Sequence, residues 1–338
     1  MDLIIKPTQR CNFACTFCSS TDIAKSNSKV DDLNLDKIFK FLNRFPETQS
    51  ITINGGDPLM MHPKYYWELI EYLDRNELPA ELHFTSNLWD FYKKPDKWVE
   101  LFKHERVGVG TSFHYGETRL ISETQVLTEE IFLDIISKFK DLVGYSPPFI
   151  GVITKENESK ALDTVRLAKH LDTVCRLNYA MASGREGLPY PIGDMYHIYL
   201  EIYKEGLAPW EFNTQQMMKR LMGDESTTCP QNRKCDEGIR NLQPQSNSGY
   251  EYNSCGAFGD DQEYGIDFDT EMNGEKQKPL QTSPELSYLK DECLTCPNFN
   301  ICNGCYKTVR DLKQSGLMEY SCQRMKDFRV KAEQEKLC

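Results

Sequence analysis

Three cysteines fall within eight residues near the start of the chain, in Cys11-Asn-Phe-Ala-Cys15-Thr-Phe-Cys18. Three thiolates on one tight loop can hold three irons of a cubane [4Fe–4S] cluster and leave the fourth iron open, as a substrate-chelating cluster requires. A structural zinc would need a fourth ligand nearby, and the next histidine in the chain, His62, lies beyond a Pro-Leu-Met-Met loop. Nine of the remaining ten cysteines lie between Cys229 and Cys338, with Cys175 alone between the groups. They run Cys229-x5-Cys235-x19-Cys255, then Cys293-x2-Cys296-x5-Cys302-x2-Cys305, then Cys322. The middle four could form a four-cysteine zinc knuckle, and all eight could form two full four-cysteine sites. An odd total of 13, clumped in a long chain with no export signal, points to metal rather than to disulfides.

Other chemistry-bearing residues sit where strands are expected to end. Asn54-Gly55-Gly56-Asp57-Pro58 combines paired glycines, which let backbone approach closely, with a proline that fixes the exit. Ser86-Asn87 and Gly110-Thr111-Ser112-Phe113-His114 offer hydroxyl, amide and imidazole groups at two further positions.

The elements that must position these residues alternate in character. β-rich runs are expected at Leu3–Ile5, Ser50–Asn54, Glu81–Ser86, Val107–Ser112, Phe149–Thr154 and Val174–Tyr179. Helical periods separate them, as in Leu35, Ile38, Phe39, Leu42 and Phe45, or Ile131, Ile135, Ile136 and Phe139. Asp32 or Asn34, Ser137 and Asn157 offer helix caps. Six βα units make an α/β fold with a parallel sheet and ligands at the carboxyl ends of its strands; six rather than eight make an open partial barrel. The expected organisation is a barrel over 1–190, a helical linker over 191–228, a cysteine-rich domain over 229–322 and a C-terminal helix over 323–338. Within the third region, two alternating runs around Ser248-Gly249 read as a hairpin. That region has too few apolar residues for its own core, so metal is expected to hold it together.

The Cys11/Cys15/Cys18 loop after the first strand, the Gly-Gly-Asp-Pro turn after the second and the six βα units resemble the radical S-adenosylmethionine (SAM) enzymes. The resemblance implies SAM chelated to the open iron and cleaved by one electron to a 5′-deoxyadenosyl radical. It also implies that Gly55, Gly56, Asp57 and Pro58 hold the methionine amino end, with Asp57 replacing the more usual Glu. Phe17 would lie by the adenine, and Ser86, Asn87 and Ser112 would meet the ribose and the methionine carboxylate. Arg185 resembles the turn arginine after the sixth strand of related maturases. The later cysteines resemble the SPASM extension of radical SAM enzymes that modify peptides and proteins. Carried over, one auxiliary [4Fe–4S] cluster takes Cys229, Cys235, Cys255 and Cys305, and the other takes Cys293, Cys296, Cys302 and Cys322. With the first loop, that makes three clusters. Cys175 is then a core residue and Cys338 a terminal thiol.

The expected activity is maturation of a ribosomally made peptide by crosslinking, thioether formation or epimerisation. The runner-up is an anaerobic sulfatase-type maturase that makes formylglycine; those enzymes carry an Asp directly after the hairpin cysteine, where Gly256 stands here. A zinc-stabilised binding protein is the reading from another class. Candidate acid–base residues are Asp236, Asp260, Asp261 and His114. A net charge of −11 argues against nucleic acid as a partner. No run approaches the ~20 apolar residues of a membrane span, and with no signal peptide a cytoplasmic location is expected. Ten residues before Cys11 leave no room for a fused leader-binding domain, so recognition is expected to use the barrel mouth, the SPASM region or a separate leader-binding protein. A flavodoxin- or ferredoxin-type donor is expected to dock on a basic stretch of Lys307, Arg310, Lys313, Arg324, Lys326, Arg329 and Lys331.

Overall fold

The computed structural model describes residues 1–18, 31–182, 187–226, 238–244, 251–254, 265–275, 291–302 and 306–337. Its frame is a parallel run of six strands, β1 (Asp2–Ile5), β2 (Ser50–Ile53), β3 (Glu81–Thr85), β4 (Val107–Ser112), β7 (Phe149–Ile153) and β8 (Cys175–Tyr179). The connecting helices include α1 (Leu35–Arg44), α2 (Pro63–Arg75), α5 (Glu129–Val143) and α6 (Ala161–His170). Strand alternation sorts the side chains. Leu3, Ile51, Leu82, Val109, Phe149 and Leu177 face the helices and are almost fully buried. The opposite, concave face carries Ile4, Thr52, His83 and Gly108 in one row of register partners, and Ser112, Ile150 and Arg176 in another.

Two short helices, α3 (Trp89–Lys93) and α4 (Val99–Phe102), and a small hairpin, β5 (Leu120–Ser122) with β6 (Gln125–Val126), were not expected. Caps also differ in part. Asn34 caps α1 by accepting from Asp36 N at 2.9 Å, whereas Asp32 takes the Arg10 guanidinium at 2.8 Å. Thr128 caps α5, and Ser137 lies inside that helix. Asn157 folds back instead, accepting from Thr154 N and donating to Val152 O, which shapes the turn after β7.

The expected boundaries do not mark separate bodies. Strand β9 (Ile239–Leu242) pairs parallel to β1, and β10 (Tyr252–Asn253) pairs antiparallel to β9, so the cysteine-rich region extends the barrel sheet to eight strands. The expected hairpin therefore exists, although its Ser248-Gly249 turn lies outside the described residues. Arg240 on β9 forms a buried pair with Glu271 of α9 (Phe268–Met272), which also accepts from the Tyr252 hydroxyl. The expected linker is core: Met195, Tyr196, Tyr199, Leu200 and Ile202 of α7 (Ile192–Lys204) are buried. Before α8 (Phe212–Leu221), Glu211 bridges to the free edge of β8. The chain continues through α10 (Phe299–Cys302) and α11 (Tyr306–Gln314) to α12 (Met318–Gln334). This last helix starts five residues before the expected Gln323, so Cys322 lies on it. Gly316, at φ 73°, supplies the left-handed turn that lets α11 end and α12 begin.

Helix α12 packs on α7. Phe328 meets Tyr196 edge-on at 5.2 Å, and Asp194 receives Lys155 at 2.7 Å, the Tyr320 hydroxyl at 3.1 Å and the Arg324 guanidinium. Gly193 is required there: a Cβ would stand 2.5 Å from Ser321 O.

Candidate active site and cysteine centres

The cysteine loop leaves β1 and is pinned to the small hairpin. Ala14 N donates to Leu120 O at 2.8 Å, and Thr16 N donates to Thr118 O at 2.9 Å. The three thiols sit at the carboxyl ends of the strands and interact electrostatically with one another. Burial pushes the Cys11 thiol up, with the nearby Asp57 adding to it. Burial raises Cys15 as well, against the opposing pull of Arg119.

Arg119 is the residue that sequence reasoning missed. It is 5% exposed, and its charge is felt by Cys11, Cys15 and Cys18. Its guanidinium donates to Ser112 Oγ at 2.8 Å and lies 5.0 Å from the centre of the Phe17 ring. Its Nε is buried without a hydrogen-bond partner, and no carboxylate pairs with it among the described residues. An uncompensated buried cation is costly unless an anion completes the site. The only hint in the sequence was its position shortly after Ser112, at the end of the fourth strand, in a stretch that carried no motif.

The glycine pair acts through the backbone. Gly55 adopts φ 127°, and a Cβ on Gly56 would fall 2.1 Å from Arg10 O. Both glycines thus let the β2 turn close onto the Thr8–Arg10 segment that leads into the cysteine loop, where Gly56 N donates to Thr8 O and Asp57 N to Arg10 O. Asp57 is 2% exposed and turned inward: its carboxylate accepts from Leu59 N, Ser86 Oγ and Asn87 N at 2.8–3.1 Å. Burial pushes its pKa up to about 6. Pro58 follows at the first position of a short 3-10 turn. Asn87 bridges onward, donating to Asn12 Oδ1 at 2.7 Å with Cys11 Sγ at 3.9 Å. Asp57, Ser86 and Asn87 therefore form one chain of contacts to the cysteine loop, joined across two strand ends.

His114 is not a free acid or base. Its Nδ1 accepts from Val152 N at 3.2 Å, and its Nε2 lies 2.8 Å from Thr118 Oγ1. With both nitrogens engaged and the ring 1% exposed, burial holds its pKa well below the ordinary histidine value. It ties β7 to the segment that carries Arg119. Phe17 stands edge-on to it at 5.0 Å.

The second cysteine set is brought together in part. Cys293, Cys296, Cys302 and Cys322 line one small cavity with Asn298 and Lys326. Asn298 donates to Met325 O at 3.2 Å, joining the loop to α12. Among the described residues no three His, Cys, Asp or Glu converge closely enough to hold a single metal ion. Cys229, Cys235, Cys255 and Cys305, and with them Arg185, Asp236, Gly256, Asp260, Asp261 and Cys338, lie outside the described residues. Cys175 is fully buried in β8, as a core residue should be.

The basic stretch is smaller on the folded protein than along the chain. Lys307 and Arg310 are about 5% exposed and pair with the buried Asp311, while Arg324 turns onto Asp194 and Arg329 onto Glu333. Four of the seven charges that look contiguous in sequence are thus turned onto carboxylates of the same helix or of a neighbouring one.

No helix among the described residues is long and apolar enough to cross a membrane. No curated protein matches the chain. Among solved structures, the fold is similar to native anSMEcpe with bound AdoMet, with TM-score 0.68, 16% identity, and 99% of this chain and 98% of that chain covered. It is also similar to native anSMEcpe with bound AdoMet and Cp18Cys peptide, with TM-score 0.69, 16% identity, and coverage of 99% and 97%. Residues 5–168 match the radical SAM superfamily. The cysteine loop at the carboxyl end of β1 lies inside that span, so residues 5–168 carry the radical SAM domain of this chain.

Proposed function

We propose that this chain is a SPASM-type maturase that modifies a ribosomally made peptide or protein by crosslinking, thioether formation or epimerisation. The observation that carries the reading is the second cysteine centre: Cys293, Cys296, Cys302 and Cys322 around one cavity, docked on the barrel through α7 and α12. Four thiols at one cavity can hold a [4Fe–4S] cluster, and the cysteine order from Cys229 to Cys322, which calls for two four-cysteine sites, favours auxiliary clusters over a single zinc knuckle. Cys229, Cys235, Cys255 and Cys305 are proposed for the other auxiliary cluster.

The residues at the barrel mouth fit an open cluster with SAM. Cys11, Cys15 and Cys18 supply the thiolates, and Arg119, a buried cation with an unpartnered Nε, calls for an anion beside them. A [4Fe–4S] cluster and SAM, when bound, supply a 5′-deoxyadenosyl radical that can take a hydrogen atom from substrate. The chain's own residues do the rest. Ser112 orients the guanidinium, Phe17 covers it, and Asp57 holds Ser86 and Asn87 at the cofactor side. Gly55, Gly56 and Pro58 close the turn behind them. A flavodoxin- or ferredoxin-type protein would deliver the electron, and a separate protein would present the leader.

Formylglycine formation is the second reading. It is favoured by the fold shared with anSMEcpe, an anaerobic sulfatase maturase also solved with a peptide. Against it stands Gly256, where those enzymes carry an Asp. The test is anaerobic incubation of reconstituted protein, SAM and reductant with the peptide encoded beside its gene, read by mass spectrometry and by deuterium uptake from solvent. A crosslink or thioether removes a hydrogen pair, epimerisation incorporates a solvent deuterium, and formylglycine converts one Ser or Cys to an aldehyde. An unchanged peptide, alongside SAM cleavage, would contradict the reading.

A further inference from the structure

Among the described residues, the concave face of the sheet is left unfilled beside β3, β4, β7 and β8. In closed barrels the inward side chains pack into a core, but here β4 presents Gly108 and Gly110 to the inside. A cavity of about 690 Å³ remains between β3, β4, β7 and β8. It reaches from the amino ends of β7 and β8 to the carboxyl half of β3 and most of β4, and its rim includes Tyr145 and Val174, each 37% exposed. The walls are mostly apolar, with Ile150, Pro148 and Phe212 among them. Phe212 is brought there because Glu211 bridges to the edge of β8 at Cys175.

One cation stands in this apolar setting. Arg176, on the inward face of β8 beside Ile150, stacks its guanidinium 5.2 Å from the centre of the Phe212 ring. Its Nε is buried with no hydrogen-bond partner, and no carboxylate pairs with it among the described residues. The carboxylate that precedes Phe212, Glu211, is committed to backbone N–H groups of Leu177, Asn213 and Thr214. His83 is the other basic side chain on the wall, and it faces Glu81 at 3.7 Å; Tyr145 and Cys175 complete the ionisable groups there. A guanidinium presents a planar fork of donors suited to a carboxylate, and an aromatic ring fixes one face of that fork.

We propose that this compartment binds a carboxylate borne on an apolar or aromatic body, with Arg176 as its partner, and that in the working enzyme the group belongs to the substrate: an acidic residue beside an aromatic or aliphatic one. That the occupant is peptide rests on the function proposed above; the preference for an apolar carboxylate does not. Arg176 is thereby a specificity-determining residue.

The test uses 3-phenylpropionate and its uncharged amide as probes, titrated into the full-length, cluster-reconstituted protein by calorimetry. Phenylpropionate should bind with a dissociation constant of about millimolar order, as its size allows. The amide should bind about tenfold more weakly, since it forfeits the charge-assisted pair. Arg176→Gln should abolish that preference, Arg176→Lys should keep part of it, and Ile150→Phe, which fills the cavity, should weaken both probes. Melting curves confirm that each variant is folded. Equal binding of acid and amide by wild type, an unchanged preference in Arg176→Gln, or displacement of the probe by SAM would overturn the proposal. A peptide that fails in the product assay bears on the proposed function alone, because the probe titration requires no turnover.

Discussion

A buried guanidinium with three thiols for neighbours and no carboxylate paired with it among the described residues makes Arg119 the residue on which the cofactor end of the barrel turns. Arg119→Gln should weaken SAM binding about tenfold or more, by loss of a charge-assisted contact. It should also lower the reduction potential of the loop's cluster, since a positive neighbour favours the added electron; Arg119→Lys should restore part of both. Calorimetry and an electron paramagnetic resonance redox titration measure the two effects, and a Gln variant equal to wild type in both would sink the role. Asp57 makes a different demand. Its carboxylate serves three donors, so Asp57→Asn must turn an NH2 toward one of them and should cost about 1–3 kcal/mol of stability. The folded protein holds the Asp57 proton up to about pH 6, whereas its ordinary value is 3.8. Its contribution to stability is therefore full at low pH and is lost as pH rises through 6. The stability gap between wild type and Asp57→Asn should accordingly shrink from pH 4 to pH 7 in urea titrations; a gap that widens would contradict the inward placement of the carboxylate.

Helix α12 carries Cys322 and is fastened to the barrel by Asp194 at the first turn of α7. Burial works against the Asp194 charge, but the hydrogen bonds from Lys155 and Arg324 prevail and hold its pKa below the ordinary value. A depressed carboxyl contributes stability above its unfolded pKa and loses it as pH falls through the folded one. Asp194→Asn should therefore cost roughly 1–3 kcal/mol near neutrality and little in strong acid, below the ordinary carboxylate pKa of ~4. A cost independent of pH would show that the ion pairs do not fasten the helix. The six barrel strands were legible because each alternates over four to six residues and ends at Gly, Pro or polar residues; Val107–Ser112 alternates without a break. The pairing of β9 with β1 was not legible, since nothing local to Ile239–Leu242 names a partner more than 200 residues away. The start of α12 was obscured by a polar first turn, Glu319-Tyr320-Ser321, whose helicity depends on packing against α7.

At the scale of the whole molecule, the cysteine-rich region is built onto the barrel at two places: its hairpin extends the sheet at β1, and its last helices pack on α7. The cysteine motifs were readable because metal ligation needs particular residue types at short spacings. Arg119 and Arg176 were not readable, because a lone arginine acquires meaning only from what surrounds it in space. Likewise four of the seven basic residues from Lys307 to Lys331 turn onto Asp311, Asp194 and Glu333 once folded. Loss of the Cys322 thiol should remove about four irons and loosen α12, while SAM cleavage without substrate survives and product formation does not. Iron analysis with the product assay checks this; full iron content in Cys322→Ala would remove that cysteine from the cluster. The central claim, that the loop of Cys11, Cys15 and Cys18 carries radical SAM chemistry, is tested most directly by quantifying 5′-deoxyadenosine from anaerobically reconstituted protein with SAM and dithionite. The account predicts steady formation by wild type and none above background when all three cysteines are Ala, with the C-terminal irons retained. Formation by that variant at the wild-type rate, or none by fully iron-loaded wild type, would contradict it.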